Sequence, residues 1–144
     1  MTVPPLPDLI RLGIPEMDGE HAVQLQLLRS LEDALANADR DSAATLMVQL
    51  EDFTKAHFLA EQILMRLNAY PGILSHHLEH DRLIEELAAL RAAIESKGVI
   101  ESEVTPLSIE AWLLRHIQTA DRAFARYLAV TRGDLPAAPS TAAE

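Results

Sequence analysis

An all-α fold, an antiparallel up-down-up-down four-helix bundle with an irregular N-terminal arm, follows from three features of the sequence. Long windows rich in Ala, Leu, Glu and Arg contain neither proline nor glycine, a composition that favours helix. Within them apolar residues recur at helical spacing, as in Leu25, Leu28, Leu31 and Leu35, or Leu46, Leu50 and Phe53. No alternating β-branched run competes, and the breaks are short enough to join neighbouring helices antiparallel.

Each element has its own punctuation. Pro4, Pro5, Pro7 and Pro15 keep residues 1–17, the arm, out of a continuous helix. The first helix is expected from Gly19 to Ala38, capped by Asp18 and ended by the polar stretch Asn37–Asp41. The second runs from Ser42 to Ala69, with Asp41 as its cap and Pro71 beyond its end. The third spans Ile73 to Lys97 and stops at Gly98, a C′ residue. The fourth opens with Thr105 as cap and Pro106 in the first helical position, and ends near Arg132 before Gly133. Residues 18–133 thus form the bundle of a single 144-residue domain, and 134–144, with Pro136 and Pro139, form a flexible tail.

Composition removes several function classes. Twelve Lys plus Arg against 22 Asp plus Glu give a net charge of −10, whereas nucleic acid and anionic membranes call for a basic face. No run approaches the roughly 18 apolar residues of a membrane span, and MTVPPLPDLI lacks a secretory pattern. A soluble cytoplasmic protein with no nucleic-acid or membrane partner is expected. The absence of cysteine excludes disulfides, thiolate zinc sites, iron–sulfur clusters and thiol nucleophiles.

What remains is a set of polar residues where core should be. Extending the second helix's stripe from Leu50 and Phe53 gives His57 and then Glu61, four apart and therefore on one face. The third helix repeats this with His76 and His80, the fourth offers His116 and Asp121, and the first carries His21. Burying such groups without compensation costs several kcal/mol each. Five imidazoles and two carboxylates, without sulfur, suit iron, manganese or zinc. They are too many for one tetrahedral zinc and enough for two metals sharing carboxylates. One step is awkward. On a regular helix Asp121 lies roughly 140° around from His116, against about 40° for a four-residue step. His77 faces about 100° away from His76 and is expected in solvent, as are the acidic stretches Glu79–Asp81 and Glu85–Glu86. No Glu-x-x-His pair of the carboxylate-rich di-iron bundles is present.

The runs MDGEH, HFLAEQILM, YPGILSHHLEH and WLLRHIQTAD, in that order and spacing, resemble the bacteriohemerythrin family over about residues 9–130. The resemblance implies two iron ions with a bridging oxo or hydroxo group. One would be held by His76, His80 and His116 and the other by His21 and His57, with Glu61 and Asp121 bridging. It also implies an open position on the two-histidine iron where O2 binds, lined by Gln24, Phe58, Trp112, Leu113 and Ile117. Nitric oxide or small anions would be further ligands.

Three residues or regions depart from the family pattern. Gln24 stands where the family usually has Leu, and is expected to hydrogen-bond an exogenous ligand or a water. The arm lacks the family's aromatic residues and is expected to cover the bundle loosely. Ala60 replaces a non-ligand Glu, with no chemical cost expected. The first functional reading is non-enzymatic, reversible O2 binding for storage, delivery or sensing. The alternatives are a redox, O2 or NO sensor module with rapid autoxidation, or a di-iron peroxide or NO reductase.

Overall fold

The computed structural model describes residues 6–96 and 105–133. A 3-10 turn, Asp8–Ile10, precedes α1 (Pro15–Ala36), α2 (Arg40–Leu67) and α3 (Ile73–Glu95). The fourth rod is composite: α4 (Pro106–His116) passes through a π-helical turn, Ile117–Asp121, into α5 (Arg122–Thr131). Helix α1 packs on α2 and α4, and α3 packs on α2 and α4, so the rods close into the expected bundle. No strand occurs among the described residues.

The helix ends differ from expectation in instructive ways. Pro15 starts α1 in the first helical position, with Ile14 as its cap. Asp18, the expected cap, sits inside the first turn and reaches back to accept from the Leu12 and Gly13 backbone N–H groups at 2.8 and 3.0 Å. Gly13 adopts φ +82°, which turns the arm into the helix. Asp39 rather than Asp41 caps α2, accepting from the Ser42 N–H at 3.2 Å. Thr105 caps α4 as expected, in a reciprocal box with Ser108. Lys97, Gly98 and the tail fall outside the described residues.

Loose coverage by the arm is not what the structure shows. Leu6, Ile10 and Ile14 are buried, and Arg122 donates to the Leu9 carbonyl at 2.7 Å. Aliphatic side chains close the bundle end as well as aromatic ones because burial energy follows area rather than ring character. At the other turn, Tyr127 donates to the Asn68 carbonyl at 2.7 Å and pins the α2–α3 connection to α5. The apolar interior falls into two clusters. One contains Leu25, Leu28, Leu31, Leu50, Leu87 and Leu113. The other contains Ile14, Met17, Met65, Phe124 and Leu128.

Replacing Asp18 by Ala removes two accepted backbone hydrogen bonds where the arm turns into α1. It is expected to cost about 1–2 kcal/mol, or roughly 3–6 °C in Tm. An unchanged melting curve would mean that the arm is held by its buried side chains alone.

Candidate metal centre

Helix α1 supplies His21, α2 His57 and Glu61, α3 His76 and His80, α4 His116, and the π turn ends on Asp121. All seven are buried, none more than 4% exposed. The π turn resolves the awkward five-residue step. Its i→i+5 hydrogen bonding admits one extra residue per turn, which brings Asp121 round to the side of His116, 3.1 Å away.

The two carboxylates stand between two groups of imidazoles. Asp121 places Oδ2 3.0 Å from His21 Nε2, and Oδ1 2.9 Å from His76 Nε2. Glu61 places Oε2 2.9 Å from His57 Nε2, and Oε1 3.2 Å from His80 Nε2. Each carboxylate therefore turns one oxygen towards His21 and His57 and the other towards His76, His80 and His116. Within each group the donor atoms lie no more than 4.8 Å apart.

Hydrogen bonding does not explain this packing. His80 and His116 bring Nε2 to Nε2 at 3.2 Å. His21 Nε2, Glu61 Oε2 and Asp121 Oδ1 have no well-directed hydrogen-bond partner despite their close neighbours. They are near one another without being aimed at one another, as atoms are when they share a third partner. Adjacent donors on an octahedral ion with bonds of roughly 2.1 Å sit about 3 Å apart. The spacing and the nitrogen–oxygen donor set both fit a non-heme iron site.

Charge is balanced locally. Burial alone would lower His57, but Glu20 and Glu61 outweigh it and raise its pKa to about 10. His76 is likewise lowered by burial and raised, on balance to about 9, by Asp121 and Glu61. His80 goes the other way, because burial and the repulsion of neighbouring imidazoles exceed the pull of Glu61. Burial pushes both carboxylates up, yet the surrounding imidazoles hold Glu61 and Asp121 well below the usual range. The metal-free core thus sets ionised carboxylates beside protonated His57 and His76.

Outside this ring, His57 directs Nδ1 at Glu20, 3.4 Å away, and His116 directs Nδ1 at Glu79, 3.2 Å away. A proton held on Nδ1 by a carboxylate leaves Nε2 free as the ligand atom. Glu79 was expected to be simply solvated. It is half-exposed, but its carboxylate serves His116, and no local sequence signal links Glu20 to His57 or Glu79 to His116. Phe58 stacks flat on His80 at 3.6 Å, and Trp112 stacks on His116 at 4.8 Å. Trp112 therefore walls the three-histidine half. Leu113 and Ile117 are buried in the same apolar cluster as Phe58. Gln24 is buried, and its Nε2 donates to Thr54 Oγ1 at 3.0 Å, a partner that no sequence pattern singles out. His77 lies at the surface, 3.5 Å from Asp81. Between α1 and α2 a groove of about 280 Å3, lined by Met17, Ala60, Ile63 and Leu64, reaches Glu61.

Residues 12–128 match the hemerythrin HHE cation-binding domain. The chain belongs to the hemerythrin family. A bacteriohemerythrin of Stenotrophomonas maltophilia is 27% identical over 82% of this chain and 76% of its own length. That of Methylococcus capsulatus is 24% identical over 74% and 82%. A hemerythrin-like protein of Naegleria gruberi is 29% identical over 76% and 81%. A crystal structure of a leucine-to-phenylalanine variant shares the fold, with a TM-score of 0.74 at 22% identity, over 82% of this chain and 90% of its own. No helix among the described residues is long and apolar enough to cross a membrane.

Two predictions follow from the charges and the bridging geometry. His57 and His76 titrate at about 10 and about 9 in the folded metal-free chain, against 6.5 for a free imidazole. Their contribution to stability is complete below pH ~6.5 and lost as pH rises through 9 to 10. The Tm of the metal-free protein should therefore fall over that interval. With iron bound, rising pH only removes competing protons, so the loaded protein should not follow. Equal downward slopes would show that protons and metal do not share these nitrogens. Separately, Asp121→Asn keeps the shape but removes a charge facing both imidazole groups. Iron affinity should drop at least about tenfold while the helical circular dichroism is retained, and undiminished iron uptake would remove Asp121 from the site.

Proposed function

We propose that the chain is a non-enzymatic, non-heme di-iron protein that binds O2 reversibly, for storage, delivery or sensing in the cytoplasm. His76, His80 and His116 would hold one ion and His21 and His57 the other, with Glu61 and Asp121 giving an oxygen to each. When bound, an iron pair with its oxo or hydroxo group would supply the electrons that reversible O2 binding borrows and returns.

The observation that carries this reading is an asymmetry. Both carboxylates face both groups, but one group has three imidazoles and the other two. With the same bridges on each side, the His21–His57 half has one protein ligand fewer, and a small exogenous molecule would complete it. Leu25, Leu28, Leu50, Phe58, Leu113 and Ile117 form one buried apolar body, which keeps bulk water out. Glu20 and Glu79 face Nδ1 of His57 and His116 and so keep Nε2 of each ring directed at the centre.

A sensing role with rapid autoxidation has one observation in its favour, the buried polar pair of Gln24 and Thr54 within an otherwise apolar surround. Anaerobic iron reconstitution and reduction, followed by visible absorption as O2 is added and then removed under argon, separates the readings. Reversible binding predicts a colourless reduced form that colours with O2 and bleaches under argon. Passage to a coloured form that argon does not reverse favours the sensor. A protein that takes up iron but gives no change with O2 rejects both.

A further inference from the structure

The Gln24–Thr54 pair has unused hydrogen-bonding capacity in a place where such capacity is costly. Both residues are at most 1% exposed. Gln24 lies one turn beyond His21 on α1, and Thr54 one turn before His57 on α2. The His21 and His57 rings meet at 4.9 Å, and the amide-to-hydroxyl bond at 3.0 Å repeats that α1–α2 pairing one layer along the bundle. The carboxamide oxygen of Gln24 has no partner. A buried polar atom left unpaired costs about 1–3 kcal/mol, and two leucines would avoid that cost.

The chemistry of the pair is ambivalent. A threonine hydroxyl both donates and accepts, so the bond between Gln24 and Thr54 survives a half-turn of the carboxamide. With Nε2 turned to Thr54, a carbonyl is left over. With Oε1 turned to Thr54, the NH2 group is left over, offering two donors. The same two residues can therefore receive a protic molecule such as water, or a small anion whose free end accepts a hydrogen bond.

The geometry points to Gln24, steadied by Thr54, as a hydrogen-bonding seat that selects among small ligands of the His21–His57 half in favour of those with an anionic, accepting free end. This rests on the proposed di-iron reading and adds to it a specificity-determining residue. Gln24 contacts the ligand. Thr54 is a positioning residue that acts through it.

The test uses the full chain, reconstituted with iron and oxidised, with azide as the probe and its visible charge-transfer band as the readout. Gln24→Leu should raise the azide Kd about tenfold, the scale of one hydrogen bond to a charged group. Thr54→Val, nearly isosteric, should raise it about threefold by freeing the carboxamide. The double variant should be no weaker than Gln24→Leu alone, because Thr54 has no separate contact to lose. Nitric oxide affinity of the reduced form should stay within about twofold throughout, since that ligand brings no charge. The metal-free Tm of the double variant should hold or rise, since both partners of the buried bond and the unpaired oxygen are gone together, and this separates a ligand effect from damage to the fold. Azide affinities equal in all four proteins overturn the seat and leave the di-iron reading standing. Additive losses overturn the role of Thr54 as acting through Gln24. A wild-type protein that binds iron but gives no azide band overturns both the seat and the open site beneath it.

Discussion

Five imidazoles and two carboxylates at no more than 4% exposure impose a severe desolvation penalty on a bundle of this size. The fold answers it by convergence. Every one of the seven comes from a helix, and four separate rods must be in register for their polar atoms to meet. Apolar clusters above and below fix that register, and Asp39, Thr105 and the Asp18 contacts set where the rods begin. The site is therefore as precise as the helix packing that surrounds it, and it depends on no loop.

The π turn shows how local irregularity serves that requirement. A continuous α-helix through residues 106–131 would carry His116 and Asp121 on different faces. One widened turn brings both inward, and also leaves Phe124 and Leu128 facing the lower core. A π turn forfeits regular hydrogen bonding over one turn of backbone, a modest cost against leaving a carboxylate to face an apolar wall. The arm's clamp from Arg122 to the Leu9 carbonyl lies immediately after this turn and braces it.

Much of this was legible in the sequence because the signals are periodic or categorical. Proline and glycine marked the connections, and the four-residue steps His57–Glu61 and His76–His80 announced themselves as polar positions on apolar stripes. The π turn was visible only as a spacing that failed to fit. At α2 the sequence offers two chemically equivalent caps, Asp39 and Asp41, and Asp39 is the one that accepts from the Ser42 N–H. Thr54 gave no signal, since a threonine on a helix is unremarkable until a glutamine from another helix meets it. Glu20 and Glu79 were hidden for a related reason. Each serves a histidine on a different rod, a relation that exists only after the rods have assembled.

The raised imidazoles have a consequence for the order in which the protein is made. Protons on His57 and His76 offset the carboxylate charge in much the way cations do. In the metal-free chain two protons drawn from water thus stand where cationic charge is needed. Maturation then becomes an exchange at an assembled centre, with hydrogen ions leaving as metal enters.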